Sequence, residues 1–461
     1  MEKKALYERV LLCALKNGGD YSELYINRTK YNGMHLVDGG IDSVNDNLVA
    51  GAGIRVLSGT KCISASTADL SEQGLMRCAA AIADMMSGGC RVQDLHLTLT
   101  PIVTKHPIRI YPENISKNER AEYLLRANAA ARGYSESVCQ VTGNLLDVDH
   151  RILVATSDGL FREDRQVRTR MAISAVAGQG KDRRDGFFGP GLRVGFELFS
   201  EHISPEEIAI EAARSACSKL GAEPCPAGKM TVAIDGGFGG VIFHEACGHS
   251  LEATSVSRGT SQMCGKLGMQ VANSKLTAID DGTIPNAWGS IDIDDEGTPG
   301  KRNVLIENGI LKSYMIDKLG GRRMGMEPTG NSRRQSFEYE PTSRMTNTFI
   351  APGSDSREEI ISSIEYGLYC RKMGGGSVNP INGAFNFSVD EGYMIRGGKI
   401  CEAVTGASLI GTGSDVLMNI DMIAKDVVRA PGMCGSSSGS IPTEVGQPMI
   451  RVSDITVGGR K

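Results

Sequence analysis

The sequence predicts an α+β chain: two N-terminal blocks of helices and antiparallel sheet, then a sheet-rich C-terminal domain carrying a helix with the pattern HExxxH. Three observations predict it. Strand-like stretches alternate with glycine pairs and Asp/Asn clusters, the punctuation of antiparallel turns. Helical stretches are few and begin at recognisable caps. Glycine supplies 57 of 461 residues, about 12 % where about 7 % is usual. It follows no three-residue period, so tight turns account for it and collagen does not.

The opening MEKKALYERVLLCALKNGG reads as an amphipathic helix, with Leu6, Val10 and Ala14 on one face and Gly18-Gly19 as the stop. Glu8 and Arg9 interrupt any signal-peptide core. YSELYINR, GMHLVDGGIDSV and AGIRVLSGTKCISAS read as a meander divided by glycine pairs and the Asp46-Asn47 turn, and EQGLMRCAAAIADMMSG as the helix ending the first block, residues 1–105. The second block, 106–224, repeats this order: the helix SKNERAEYLLRANAAARGY, the strands VCQVTGNLLDVD, RILVATSDG and VRTRMAISAVAGQG, and the helix SPEEIAIEAARSACSKLG. Ser204 caps that last helix, Pro205 sits in its first turn, Glu207 completes a capping box and Gly221 stops it. The linker GAEPCPAGK leads into the third unit, 225–461. That unit reads as short, mostly antiparallel strands with one further surface helix, capped by Ser356 and Glu359.

Composition excludes several classes. A net charge of −4 offers no electrostatic excess for a nucleic-acid backbone. No apolar run reaches the roughly 18 residues of a membrane span. The twelve cysteines contain no CxxC pair and read as free thiols in a reducing cytoplasm.

The most informative stretch is MTVAIDGGFGGVIFHEACGHSLEA, residues 230–253: a strand, a glycine turn and a helix holding His244, Glu245 and His249. The familiar zinc-protease spacing HExxH puts both imidazoles on one helical face. Here the spacing is i, i+5, about 140° of rotation on a regular helix. Both rings reach one metal only if the helix is deformed, and unwinding or a π-bulge near Gly248 is therefore expected. Spacing alone leaves open that the two histidines are ordinary helix residues. A third ligand is needed, and Glu252 and Cys434 are both candidates: the first lies a turn beyond His249, the second in the glycine-flanked loop APGMCGSSSGS. Cys247 and Cys264 read as structural, and Trp288 as core. The run DIDDEG (292–297) reads as a solvated turn, because Asn303 stands where a calcium loop needs its glutamate. Arg333 and Arg334 read as a surface salt-bridge cluster, and DGGFGG, which lacks the P-loop Lys-Ser/Thr, as a tight turn. A carboxylate beside a metal ligand is suited to take a proton from water, and Glu245 is so placed.

The chain resembles the TldD/PmbA family of metalloproteases, and within it the zinc-bearing TldD branch. The resemblance rests on long ordered blocks: HEACGHSLEA, GSIDIDDEGTPGKRNVLIENGILKSYMIDK, EPTGNSRRQ, RMTNTFIAPG, TGASLIGTG and VGQPMIRVSDITVGG, with GGDYSELYI and AGIRVLSG in the N-terminal half. It implies that His244, His249 and Cys434 hold Zn2+ and that Glu245 is the catalytic glutamate. It implies a cytoplasmic peptidase acting on short or unfolded peptides bound in extended form along a sheet edge. The expected assembly is a homodimer or a heterodimer with a related PmbA-type subunit; neither nucleic acid nor a membrane is expected as a partner. Two departures stand out. Thr254 replaces the acidic residue that usually ends the run after the second histidine, and GSSSGS replaces the usual GKxGQ-like run behind Cys434. The rival readings are a peptide-binding subunit with a structural metal, and a zinc amidohydrolase acting on a small amide.

Overall fold

The computed structural model describes residues 2–88, 94–379 and 383–460. It is an α+β protein, and the two N-terminal blocks share one sheet. Its strands run in the order Lys61–Thr67, Gly40–Ser58, Tyr21–Val37, Val138–Thr156, Leu160–Gln179, with shorter strands beyond. The blocks meet where Tyr21–Val37 pairs antiparallel with Val138–Thr156.

These strands are longer than the sequence suggested. The first two span 17 and 19 residues. Gly33 lies inside the sheet, between Asn45 on one side and Leu146 on the other, and Asp46 and Asn47 pair with Asn32 and Tyr31. Ladder pairing on both flanks overrides the local turn signals. The turn itself is Asp38-Gly39, with φ of 47° and 87°, the left-handed pair that a tight hairpin requires. VCQVTGNLLDVD and RILVATSDG likewise fuse into one strand.

Four helices cover this sheet. Glu2–Ala14 and Glu72–Asp84 bury Val10, Leu11, Leu75 and Ile82 against Leu24 and Ile54. Lys117–Tyr134 and Pro205–Ser218 bury Leu124, Ile208 and Ala212 against Met171 and Ile173. Both helices of the second block carry full capping boxes, at Ser116/Glu119 and Ser204/Glu207. The alanine-rich face of the second lies so close to the sheet that a Cβ on Gly186 would stand 2.2 Å from the Ala212 carbonyl oxygen.

The C-terminal half holds an eight-stranded and a six-stranded sheet around the largest core. Strand pairing is mostly antiparallel, but Gly228–Ile234 runs parallel to Tyr366–Val378, and Asn347–Ile350 parallel to Gly439–Gln447. The surface helix Arg357–Ser362 has its expected capping box. Two seven-residue helices, Lys318–Met324 and Gly413–Asn419, were not anticipated. Each has a side-chain cap but is too short to show an apolar period. No helix among the described residues is long and apolar enough to cross a membrane.

Two expectations are overturned at the junction of the halves. DIDDEG is not a solvated turn: Asp294, Asp295 and Glu296 are buried, as are Arg333 and Arg334. Arg55 Nη2 lies 2.8 Å from Glu23 Oε2 and 2.5 Å from Glu296 Oε1, while Arg334 Nη2 lies 2.5 Å from Glu23 Oε1. The Arg334 guanidinium also covers the Tyr25 ring at 4.2 Å. Glu296 finds its cation, and Asp294 and Asp295 their backbone donors at Ser332 and Arg334, in distant segments, which is why the local sequence read as solvent-facing.

Candidate metal centre

The chain leaves the strand Gly228–Ile234 through a 3-10 turn, Gly237–Gly240, and enters the helix Val241–Ala246. A Cβ on Gly240 would stand 2.4 Å from the Gly446 nitrogen, so the helix start rests directly on the strand Gly439–Gln447. The HExxxH segment is not one helix. At Cys247 the backbone departs from α geometry (φ −132°, ψ −43°), and a separate 3-10 turn, Gly248–Leu251, follows. The unwinding expected near Gly248 thus falls at Cys247. Gly248 makes room for the break, since a Cβ there would lie 2.4 Å from Met345 Sδ.

The break brings two imidazoles that a regular helix would splay apart to a centroid distance of 5.0 Å at 84°. Cys434 approaches from the opposite side. It lies in the strand Val428–Ser436, at the edge of the six-stranded sheet, rather than in the loop read from its glycines. That strand pairs with Gly439–Gln447, and the hairpin closes between Ser436 and Gly439. Cys434 Sγ lies 3.3 Å from His244 Nε2 and 3.3 Å from His249 Nε2. All three donor atoms fall within 4.8 Å of one another. Tetrahedral zinc with ordinary Zn–S and Zn–N lengths would set sulfur and nitrogen about 3.5 Å apart, close to both sulfur–nitrogen distances here.

Electrostatics agree with the geometry. Burial, and then the charges of His249 and Arg344, hold His244 well below its usual pKa, leaving a neutral ring with a free lone pair. Its Nδ1 is buried without a hydrogen-bond partner among the described residues. Burial pulls His249 down, but the Glu252 carboxylate and the Cys434 sulfur outweigh it and carry the ring well above its usual value. A metal on Nε2 would displace that proton. Burial, foremost, raises the Glu245 carboxyl. Glu245 Oε2 lies 3.7 Å from His249 Nε2, and with His244 it lines an open cleft of about 780 Å³.

Glu252, the other candidate ligand, lies elsewhere. Its Oε1 is 3.1 Å from His249 Nδ1, the nitrogen facing away from Cys434. It therefore orients the ring, as carboxylates behind metal-binding histidines do. Arg344, 0 % exposed, was not found from the sequence. Its guanidinium donates to the Cys434 carbonyl oxygen (2.6 Å), Ser438 Oγ (3.0 Å) and the Gly439 carbonyl oxygen (3.2 Å), and stands 3.8 Å from Glu252 Oε1. One side chain thus braces both the cysteine hairpin and the carboxylate behind His249. Only contacts across about 90 residues of sequence define it, and no local pattern marks it. Trp288, core as expected, donates from Nε1 to the Gly432 carbonyl oxygen at 2.9 Å and holds the same strand. Thr254 pairs with Ser343, their hydroxyl oxygens 2.9 Å apart. Ser438 of the GSSSGS run is buried and accepts from Arg344 and Thr342. Cys247 is buried in the core, and its thiol is pushed up to about 12 by burial.

Comparison with known proteins identifies the relatives of this arrangement. The chain matches three PmbA/TldA metallopeptidase domains in succession: domain 1 over residues 22–85, the central domain over 110–220 and the C-terminal domain over 227–459. It is 36 % identical to the metalloprotease TldD homolog of Haemophilus influenzae, covering 95 % of this chain and 93 % of that protein. Among solved structures it is similar to a Thermotoga maritima protein described as a modulator of DNA gyrase, with TM-score 0.79, 24 % identity and coverage of 99 % of this chain and 100 % of that one. It is similar in fold to TldE from Thermococcus kodakarensis, with TM-score 0.79, 19 % identity and coverage of 98 % and 100 %.

Proposed function

The chain belongs to the TldD/PmbA family of metallopeptidases, and we propose that it is itself a zinc-dependent peptidase cutting short or unfolded peptides. The observation that carries this reading is the convergence of two imidazole nitrogens on one sulfur, each 3.3 Å from it, beside a carboxylate that opens onto a cleft. Imidazole and thiolate together suit zinc, and three protein ligands leave a fourth position open, the mark of catalytic rather than structural sites. His244, His249 and Cys434 would hold the ion. When bound, zinc acts as a Lewis acid and lowers the pKa of water toward about 7.

The remaining work falls to the chain's own residues. Glu245 accepts the proton of the attacking water and delivers it to the leaving amine, and its raised pKa makes it a better base for that exchange. Glu252 fixes the plane of His249. The edge strand Val428–Ser436 borders the cleft with Gly374 and Gly375. An extended peptide bonded along such an edge is held by its main chain, which tolerates varied side chains. The chain works in the cytoplasm as a dimer, with a second copy or with a related PmbA-type subunit. The fold likeness to a TldE chain supports the second arrangement.

The test is metal content of the purified protein by mass spectrometry, with a mixed-peptide digest run with and without chelator. About one zinc per chain and chelator-sensitive cleavage are expected. Glu245→Ala is expected to keep its zinc and lose cleavage by about 10²–10⁴-fold; Cys434→Ala is expected to lose zinc. A protein that takes up no zinc on reconstitution, or a Glu245→Ala variant that still turns over, would overturn the reading.

A further inference from the structure

The cleft has a second wall, built by residues of the central block and of the strand Tyr366–Val378, whose carboxylates are shared with cations behind it, Arg214 and Lys219. Glu391 is shared by Arg371 at 2.7 Å and Arg214 at 2.8 Å, and Arg214 also holds Glu211 at 2.8 Å. Asp390 is taken by Lys219 at 3.1 Å and lies 3.8 Å from Lys372. Three carboxylates therefore serve these four cations.

A fifth cation, Arg170, lines the same cleft. It donates from Nε to the Gly189 carbonyl oxygen at 3.0 Å and has no carboxylate within ion-pair distance among the described residues. The buried Lys372 Nζ has no hydrogen-bond partner among the described residues.

Both cations lie close to aromatic rings, Arg170 over Trp288 at 5.9 Å. Lys372 Nζ stands 5.5 Å from the centre of Phe187, which is 41 % exposed in the cleft. A Cβ on Gly189 would meet the Phe187 ring at 2.7 Å and the Arg170 guanidinium at 3.2 Å, so that guanidinium also lies near the ring. Burial, above all, depresses both groups, Asp390 working the other way on Lys372. A half-buried cation whose counter-charge is distant, as for Lys372, or missing among the described residues, as for Arg170, is unfavourable, and an arriving carboxylate relieves it with charge-assisted hydrogen bonds.

We propose that this wall is an anion subsite, in which Lys372 and Arg170, both near Phe187 in the cleft, receive a carboxylate of the peptide substrate. The assignment rests on the peptidase reading and deepens it: the preferred peptides present a negative charge to this wall, either at their C-terminus or on an acidic side chain.

Three N-acetylated six-residue alanine–phenylalanine peptides separate the sources: one with a free C-terminal carboxylate, one amidated, and one amidated with glutamate in last place. KM and kcat are measured on the zinc-loaded full chain. Equilibrium binding to Glu245→Gln is measured in parallel by calorimetry, so that preference is read even if no peptide is cut. The expected result is about tenfold tighter binding or lower KM for one or both anionic peptides than for the neutral amide, with kcat little changed. Preference for the first peptide alone assigns a terminal carboxylate; preference for the glutamate peptide assigns a side chain. In Lys372→Gln and Arg170→Gln the preference is expected to collapse, and in Lys372→Arg to survive, with unchanged zinc content reporting an intact fold. Equal binding of all three peptides by the parent protein, or a preference untouched by both glutamine variants, would overturn the subsite. Absence of cleavage with the binding preference intact would instead count against the peptidase reading alone.

Discussion

Two buried polar clusters lie in this molecule, and they are built in opposite ways. In the seam between the halves, Glu23 meets two guanidiniums and Arg55 meets two carboxylates, within 2.5–2.8 Å. Every charge there has its counter-charge inside the protein. At the triad, two imidazoles and a sulfur crowd together, one buried ring nitrogen has no partner, and the nearest carboxylates stand behind or beside the group. Buried polar groups are ordinarily satisfied. The closed cluster balances its charges as it stands, although the Arg55 and Arg334 Nε atoms lack a hydrogen-bond partner among the described residues, whereas the open one gathers three atoms able to ligate a metal.

The contrast breaks first at Arg55. Arg55→Met leaves Glu296 without its cation and Glu23 with Arg334 alone, and loss of one partner in such a pair costs about 3–5 kcal/mol. A urea midpoint should fall accordingly, while the folded fraction keeps its zinc. A seam variant that lost zinc without losing stability would show that the two clusters are not separate.

Acid titration sharpens the same point. Burial pushes Glu23 up, but Arg55 and Arg334 more than reverse it and bring the carboxyl from 4.5 to about 2. A group depressed in the folded state stabilises above its unfolded pKa, so this contribution, about 3 kcal/mol, should be present above about pH 4.5 and lost as pH falls toward about 2. Asp317, pushed up to about 6 by burial and by Glu296, has the opposite sign: its neutral folded form favours the native state as pH falls from about 6 to about 4. Denaturation curves between pH 2 and 7 should show both slopes, and Arg334→Met should flatten the lower one.

The smallest expected effect probes the open cluster's support. Arg344→Lys keeps the charge but not the fork that spans Cys434, Ser438 and Gly439. Zinc affinity should drop about 10–100-fold, the range for partners behind a metal ligand, as read by competition with a chelating dye. Unchanged affinity would remove Arg344 from the account.

Sequence reasoning reached some of this and not the rest, for physical reasons. The capping boxes at Ser204/Glu207 and Ser356/Glu359 were legible because each is closed within four residues. The need for a break between His244 and His249 was legible because helical rotation is fixed. Strand lengths were not, since Gly33 and Asp46 are held in the sheet by neighbours elsewhere in the chain. Spacing could not choose between Glu252 and Cys434; the family resemblance pointed to the cysteine, and the fold brings it to the histidines. The acidic run around Asp294 was misread because Glu296 meets Arg55 across 241 positions of sequence. A local window cannot see such a partner.

The separation of the three donors also has a bearing on how the protein is made. Cys434 follows His249 by 185 residues, and at roughly 5–20 residues per second it leaves the ribosome about 10–40 s later. Throughout that interval the nascent chain carries both histidines and the neighbouring glutamate but lacks the sulfur that completes the set. The strand that carries the thiol pairs with Gly439–Gln447, which is translated later still. A half-synthesised copy therefore holds two of the three donors and cannot assemble the set.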